Sequence, residues 1–325
     1  MENVPEIGVR LLVYPRAQLS AVLGLTDLFN SANLVVQRRH GERNLQQFAV
    51  SHWYADDHGL ECKFGDAAVP PSILILPPCL NAQELDPSAF DLLEWIKQQH
   101  HDGVLVCSVC AGAFVLAETE LLNSRPATTH WALHEKFAEM FPEVHVDSEK
   151  MIIDDGSIIT AGGVMAWIDL GLRIVDRFLG ADVMQDLAKL LVVDAGHREQ
   201  QFYSLFSPKF DHGDGYIVKV QNWMQGHYTS RVSIPQMASI AGMGERTFMR
   251  RFRKATGMSP TTYMQSLRVA KARELLELSV KSVKQIAWDV GYEDASAFNK
   301  VFRGLMGLSP SQYRRRFSLN EPAQV

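Results

Sequence analysis

Residues 233–263, SIPQMASIAGMGERTFMRRFRKATGMSPTTY, and residues 282–313, SVKQIAWDVGYEDASAFNKVFRGLMGLSPSQY, repeat one local pattern and decide the fold of the C-terminal part of the chain. The two copies are offset by 49 residues up to the glycine of each turn and by 50 residues after it, because the second turn is one residue longer. Repetition at this length is typical of a duplicated supersecondary unit. The pattern predicts two copies of one helix-turn-helix motif.

Each copy contains the residues that begin, turn and anchor a pair of helices. Ser-x-x-Gln is a capping-box sequence that begins a short helix, and Gly242 or Gly291 ends it in the left-handed conformation of a tight turn. Phenylalanines four residues apart then anchor one face of the next helix in a core; these are Phe248 with Phe252 and Phe298 with Phe302. A second glycine ends that helix, and Ser-Pro starts another. One helix over residues 261–279 is predicted to connect the copies.

The side chains opposite the phenylalanines are predicted to face outward, and many of them are basic or amide-bearing. Arginine pairs bidentately with guanine, and asparagine with adenine, in the major groove of DNA. Two such helices about one DNA turn apart would read adjacent segments of the groove. The predicted DNA-contacting residues are Arg246, Thr247, Met249, Arg250 and Arg253 in the first copy and Ala295, Ser296, Asn299, Lys300 and Arg303 in the second. The alternative is an ordinary helical bundle with a solvated basic face.

With its repeated Gly-(Met/Leu)-Ser-Pro-x-x-Tyr tail, the segment of residues 216–317 resembles the DNA-binding domain of AraC/XylS-type regulators. The resemblance implies base-reading roles for Arg246, Met249, Arg250, Ser296, Asn299 and Lys300. Glu293 and Asp294, which precede the second recognition helix, make this copy less basic than a typical DNA-binding surface. They suit a helix N-terminus but would repel nearby phosphates. We therefore expect the first copy to contribute more of the DNA affinity.

The charge of the chain is divided unequally along its 325 residues, a length with room for two domains. Residues 1–205 carry 14 Lys and Arg against 28 Asp and Glu, a net charge of −14, whereas residues 206–325 carry 18 against 9, a net charge of +9. A basic module joined to an acidic one fits a nucleic-acid reader joined to a domain of another kind.

The chain has no stretch that reads as a membrane span of roughly 18 apolar residues, and its first residues do not resemble a signal peptide. We therefore expect a cytoplasmic protein with no membrane partner, in which the four cysteines are reduced. Cys107-x-x-Cys110 lacks the second Cys or His pair of a zinc site, and His100-His101-Asp102 is predicted to end a helix. We expect neither a metal nor a cofactor.

In residues 1–196, short apolar runs alternate with helical stretches. This order predicts a flavodoxin-like α/β domain, in which helices cover both faces of a parallel sheet. The predicted strands are residues 7–13, 47–53, 73–76, 104–107 and 157–160. The predicted helices are residues 19–32, 88–100, 111–117, 131–140, 164–178 and 181–193. Ligands of such a domain bind beyond the carboxyl ends of its strands.

The sharpest site in this domain is VLVCSVCAGA, residues 104–113, in which a buried strand runs directly into a helix with Cys110 at the bend. This is the pattern of a nucleophile elbow, and helix N-terminal amides there would stabilise a thiolate. Together with ATTHW at residues 127–131 and pieces at 12–15 and 161–170, it resembles the glutamine amidotransferase-like superfamily, in the branch of cysteine peptidase-like and isocyanide hydratase-like proteins. The predicted ligand-contacting residues are Cys110, Ala111, Asp27, His130 and Trp131.

Two positions depart from the enzymes that the resemblance suggests. Ala111 stands where enzymes of that branch commonly have a histidine, and Asp27 stands where they tend to have a glutamate. His130 is the remaining candidate base. Because a cysteine without a positioned base is a weak catalyst, we expect no catalytic residue and a protein that is not an enzyme.

Together the two halves resemble GlxA-type transcriptional regulators, with a sensor and dimerisation domain at residues 1–196, a linker at 197–215 and a DNA-binding domain at 216–320. The resemblance implies a transcription activator that senses a small metabolite, either amino-acid-derived or a quaternary ammonium compound that Trp131 would hold by a cation–π contact. The expected partners are double-stranded DNA, RNA polymerase and a second copy of the chain.

Two rival hypotheses remain open at this point. The first is a cysteine-dependent hydrolase or hydratase that carries a DNA-binding domain. The second is a constitutive DNA-binding protein whose first domain only dimerises, through helical residues 169–178 if these are not core.

Overall fold

The computed structural model describes residues 6–40, 46–56, 59–79, 90–195, 199–204 and 206–318. The chain forms two compact units, Met1–Gln200 and Gln201–Val325, with the division inside the predicted linker. Parts of three predicted segments lie outside the described residues. These are residues 88–89 of a predicted helix, residues 196–198 and 205 around and in the predicted linker, and residues 319–320 at the end of the predicted second domain.

The first unit is built on a seven-stranded sheet with the strand order β3-β2-β1-β4-β5-β9-β8. Its strands are β1 (Glu6–Val13), β2 (Gln47–Asp56), β3 (Gly59–Phe64), β4 (Pro71–Leu76), β5 (Leu105–Val109), β8 (Ile152–Asp154) and β9 (Ile158–Ala161). The five central strands are parallel, as predicted, whereas β3 and β8 pair antiparallel at the two edges. The sequence does not predict these edge strands because β3 is largely exposed, with Glu61 and Lys63 between its apolar residues, and β8 has only three residues. A separate two-stranded pair joins β6 (Pro126–Ala127) and β7 (His145–Val146).

Six α-helices complete the described part of the first unit, and the fold is the predicted flavodoxin-like α/β fold. They are α1 (Leu19–His40), α2 (Phe90–His101), α3 (Gly112–Glu118), α4 (His134–Met140), α5 (Trp167–Leu179) and α6 (Ala181–Leu191). Helix α1 is longer than predicted because Val35 and Val36 continue its buried face. The predicted helix at residues 131–140 begins as a 3-10 turn, Trp131–Leu133, and a second 3-10 turn is Gln200–Phe202.

Helix α1 corrects the expectation about apolar stretches. In the described part of the chain, Leu19–Arg39 has the length and apolar composition of a membrane span. Half of this segment is buried, and Leu25, Leu28 and Phe29 belong to the core of the first unit. Its inward face is therefore the face of a core helix.

The second unit is helical and contains two small cores. Its α-helices are α7 (Gly215–His227), α8 (Ile234–Ile240), α9 (Glu245–Thr256), α10 (Pro260–Leu278), α11 (Val283–Asp289), α12 (Ala295–Met306) and α13 (Pro310–Phe317). Phe248 and Phe252 are fully buried in the first core, and Phe298 and Phe302 are fully buried in the second, as predicted. The predicted connecting helix is α10, which contributes its first half to one core and its second half to the other.

The turns follow the glycine pattern, but the caps differ in one respect. Gly242 and Gly291 have φ values of +66° and +87°, and Gly257 and Gly307 end α9 and α12 in the same left-handed region. At Ser233 and Ser282 only the serine half of the predicted capping box is formed. In the second copy, the side-chain amide of Gln285 donates to Asp289. The complete box lies at Ser309 and Gln312, where α13 begins.

The two turn glycines differ in what surrounds them. A Cβ atom on Gly291 would lie 2.7 Å from the carbonyl oxygen of Thr229, whereas nothing lies within 4 Å of a Cβ on Gly242. We expect Gly242→Ala to cost about 1–2 kcal/mol of unfolding free energy through left-handed strain alone. Gly291→Ala should cost clearly more, because backbone atoms must also move. Calorimetry of the two variants in the full chain measures the difference, and equal losses would contradict the close approach at Gly291.

Candidate DNA interface and candidate ligand site

Helix α9 has one buried and one exposed face. Phe248 and Phe252 point into the core, and Met249, although apolar, is 46 % exposed. The other predicted DNA-contacting residues of the first copy, namely Arg246, Thr247, Arg250 and Arg253, are also exposed. The arrangement presents three guanidinium groups on a single helix face, which suits contact with base edges and phosphates.

Helix α12 presents a less basic face. Ser296, Asn299, Lys300 and Arg303 are exposed, while Ala295 is half-buried and packs against the second core. The carboxylate of Asp294 accepts hydrogen bonds from the backbone N–H groups of Ser296 and Ala297, each at 3.0 Å. These bonds lower the pKa of Asp294, so this carboxylate caps the helix and remains ionised beside the reading face.

Three arginines of the second unit have structural partners. Arg251 forms two 2.8 Å hydrogen bonds with Asp214, whose carboxylate caps α7. Arg268 donates to the carbonyl oxygens of Tyr228 and Ser230, and Arg273 donates to the Tyr313 hydroxyl and the Ser204 carbonyl. Part of the positive charge of this unit therefore holds the fold together.

In the first unit, Cys110 has the backbone of the predicted elbow. Its φ is +55°, a left-handed value that a side-chain-bearing residue adopts rarely. Its N–H donates to the carbonyl of Ala161 at 2.8 Å, and its carbonyl accepts from Thr129 Oγ1 at 2.9 Å. A Cβ atom on Gly112 would lie only 2.6 Å from the Leu76 carbonyl. The bend is thus fixed against the ends of β4 and β9.

Residues from the carboxyl ends of β1 and β4 surround the elbow. The Tyr14 hydroxyl donates to the carbonyl of Pro77, and the backbone N–H of Gln18 donates to the carbonyl of Pro78 at 2.7 Å. Burial raises the pKa of Tyr14 well above its usual value, and the nearby thiols of Cys79 and Cys110 raise it further. Gln18 Oε1 is buried and has no hydrogen-bond partner among the residues that the structure describes.

The thiol of Cys110 does not have the protonation state that the sequence suggested. Its side chain is buried, and burial raises its pKa to about 11 despite an opposing hydrogen bond from the backbone of Ala111. The prediction of a stabilised thiolate is therefore wrong, because the loss of solvation outweighs the helix N-terminal amides. At neutral pH this group is a thiol.

His130 and Trp131 lie on the segment that touches Cys110 through Thr129. His130 Nδ1 accepts from the backbone N–H of Ala132 at 3.1 Å, so His130 caps the 3-10 turn. Burial lowers the pKa of His130. The backbone N–H of Trp131 donates to Gln200 Oε1 at 3.1 Å. The ring of His130 and the backbone of Trp131 thus each have a structural partner.

Gln200 lies within the predicted linker but is buried. Its Nε2 lies within hydrogen-bond distance of Thr128 Oγ1 and of the carbonyls of Thr129 and Lys150. A Cβ atom on Gly162 would overlap this amide, at 1.8 Å from Nε2. Gln200 therefore fixes residues 128–131 to the loops before β8 and after β9. No local pattern distinguishes such a glutamine from the polar residues of a linker.

The structure brings Cys110, Ala111, His130 and Trp131 into one region, but it places Asp27 elsewhere. Asp27 is exposed on α1, and no contact in the described part of the chain connects it with Cys110. A cavity of about 350 Å³ lies away from the elbow, between β8, α5 and α6. Its acidic lining is partly neutralised, since Asp154 pairs with Arg173 and Arg177. The described residues contain no group of three or more His, Cys, Asp or Glu side chains placed to hold a metal ion.

Comparisons with known proteins match both units. The DJ-1/PfpI family matches residues 61–177, and a helix-turn-helix domain matches residues 237–316. The HTH-type transcriptional regulator CdhR of Pseudomonas aeruginosa is 30 % identical over 71 % of this chain and 69 % of its own length. The HTH-type transcriptional regulator GlxA of Rhizobium meliloti is 28 % identical over 66 % of each chain.

Among solved structures, the DNA-binding domain of AdpA in complex with a target DNA is 33 % identical and covers 33 % of this chain and 97 % of that chain, with a TM-score of 0.31. The two family matches fall on the two units, and the CdhR match extends over most of both proteins. The chain therefore belongs to the HTH-type transcriptional regulators that combine a DJ-1/PfpI domain with an AraC-type helix-turn-helix domain.

Proposed function

We propose that this regulator binds double-stranded DNA sequence-specifically through α9 and α12 and activates transcription when a small metabolite binds beside Cys110. The buried oxygen of Gln18, which has no hydrogen-bond partner among the described residues, supports the ligand site most directly. The backbone N–H of Gln18 donates to Pro78, next to the Pro77 carbonyl that lies against Gly112. A buried acceptor without a partner costs about 1–3 kcal/mol. A ligand N–H group would supply the missing hydrogen bond.

The same oxygen favours one ligand class over another. A primary ammonium or an amide carries N–H donors, whereas a quaternary ammonium group has none. Tyr14 remains un-ionised because its pKa is raised, and its hydroxyl already donates to Pro77. We therefore favour an amino-acid-derived amine or amide over a quaternary ammonium ligand held by Trp131.

We further propose that the site does not catalyse a reaction. Cys110 is protonated at neutral pH because its pKa is raised to about 11. The Nδ1 atom of His130 accepts from Ala132, and this bond orients the ring as a helix cap. The relatives named above are regulators. The cysteine-dependent hydrolase or hydratase thus has less support than a binding site.

Gln200 supports a route from the ligand to the rest of the chain. It is the last residue of the first unit and binds the segment that carries His130 and Trp131. A ligand that shifts residues 128–131 would change the anchoring of Gln200, where the chain continues toward the reader. A ligand can switch this segment between two arrangements only if it binds them with different affinities.

The proposal has three further parts. The DNA-contacting set remains Arg246, Thr247, Met249, Arg250 and Arg253 with Ser296, Asn299, Lys300 and Arg303, whereas half-buried Ala295 contributes shape at most. RNA polymerase is the proposed partner in activation, and a second copy of the chain is proposed to form a homodimer. A cytoplasmic location follows from these partners.

A thermal-shift screen of the full chain tests the ligand site. The panel contains amino acids, primary amides, polyamines and betaines, since a ligand that binds only the folded state raises its unfolding temperature. We expect stabilisation by a compound with N–H donors and none by betaines. Gln18→Leu should abolish the shift, whereas Asp27→Ala, a change at an exposed position, should retain it. A shift that survives in Gln18→Leu would contradict this site.

Neighbouring arginines on α9 provide a matched pair for the DNA interface. Arg250 is exposed, whereas Arg251 is bound to Asp214. Arg250→Ala should cost about 1–3 kcal/mol of binding free energy on a selected duplex and relax the preference at one base pair. Arg251→Ala should lower the unfolding temperature but leave the base preference unchanged. Fluorescence anisotropy with single-base variants of the duplex measures both, and a uniform loss for Arg250→Ala would indicate a phosphate contact instead.

A further inference from the structure

Helices α9 and α12, the recognition helices of the two helix-turn-helix units, have the same construction. Each has twelve residues, follows a residue with an extended backbone and ends at a left-handed glycine. The fourth and eighth residues of each helix are fully buried phenylalanines. Met249 and Asn299 are therefore equivalent, because each is the fifth residue of its helix and directly follows a buried phenylalanine.

Met249 is an exposed apolar residue that the protein core does not use. Its side chain is 46 % exposed. It belongs neither to the buried residues of the first core of the second unit nor to the partly buried residues that pack against them. Arg246 and Arg250, on the same face of α9, form no hydrogen bond or ion pair with a described residue. The face therefore offers DNA one apolar group between unpaired guanidinium groups.

The equivalent residue of the second copy has different chemistry. Asn299 is exposed, and its side-chain amide has no hydrogen-bond partner among the residues that the structure describes. A free amide pairs bidentately with adenine in the major groove, whereas the apolar feature that this groove offers is the C5-methyl group of thymine. The two recognition helices thus present, at one equivalent position, groups that suit two different bases.

We propose that Met249 contacts the C5-methyl group of a thymine and that Asn299 pairs with an adenine at the equivalent position of the second half-site. A half-site is here the DNA segment that one helix-turn-helix unit contacts. The inference rests on the DNA binding within the proposed function and adds to it the base at one position of each half-site. Because the two half-sites differ at this position, the chain binds its operator in one orientation.

The methyl group of thymine fits Met249 better than the other base edges do. Adenine, guanine and cytosine present only hydrogen-bond donors and acceptors in the major groove, and an apolar side chain laid against such groups leaves them without partners. The methionine side chain is unbranched and flexible, with a polarisable sulfur. It can therefore reach a methyl group while the neighbouring arginines contact phosphates or guanine.

Removal of a single methyl group from the DNA tests this contact. The full chain is bound to a duplex selected from random sequences, and each thymine in turn is replaced by deoxyuridine. At the thymine that Met249 contacts, the loss of one buried methyl should weaken binding about fourfold. Met249→Ala should bind the thymine and uracil duplexes equally at that position. Met140→Ala, a change of a 47 % exposed methionine in the first unit, should retain the difference.

Exchange of the two side chains tests their equivalence. Met249→Asn should change the preferred base at the first position from thymine to adenine, and Asn299→Met should make the opposite change in the second half-site. 5-Methylcytosine carries the same C5-methyl group as thymine. In place of cytosine at the first position, it should raise the affinity of the wild type about fourfold but leave that of Met249→Ala unchanged.

Three results would overturn the inference. These are wild-type binding that no deoxyuridine replacement weakens, a thymine–uracil difference that persists at every position in Met249→Ala, and an unchanged base preference in Met249→Asn with an unchanged unfolding temperature. Binding without any sequence preference would overturn the proposed DNA interface as well. Sequence-specific binding that is insensitive to uracil would overturn the methyl contact alone.

Discussion

The left-handed backbone of Cys110 is the constraint on which the first unit's site depends. A residue with a side chain adopts this conformation at a cost of about 1–2 kcal/mol, so the surrounding contacts must hold it. The hydrogen bonds to Ala161 and Thr129 and the close approach of Gly112 to Leu76 do so. They bring together three strand ends and residues 128–131. The same packing buries the thiol of Cys110 and raises its pKa.

The second unit uses left-handed residues in another way. Gly242 and Gly291 turn the chain so that a second helix crosses the first, and the buried phenylalanine pairs fix the rotation of that helix. This rotation leaves the arginines of α9 and the polar residues of α12 exposed to solvent. Because α10 contributes to both cores, the two helix-turn-helix units share one structural element. A rigid spacing between two readers is what recognition of adjacent groove segments requires.

The fold of the helix-turn-helix domain was largely predictable because the sequence patterns that determine it are local. Turn glycines, serine caps and phenylalanines four residues apart each act within one helical turn, and all of them lie where the pattern predicted. The parallel strands of the first unit were recognisable from buried apolar runs, whereas β3 and β8 lack such runs. The pKa of Cys110 depends on burial by distant segments. The burial of the Gln18 oxygen, the hydrogen bonds of Gln200 and the position of Asp27 all depend on tertiary packing. None of these has a signature within the sequence around it.

We infer that one chain presents two helix-turn-helix units to DNA, with its base contacts on α9 and α12. A hydroxyl-radical footprint of the full chain, on a duplex selected from random sequences, tests it most directly. We expect two protected tracts on one face of the DNA, about one helical turn apart, with the stronger protection at the bases that α9 contacts. A single protected tract, or protection without sequence preference, would contradict it.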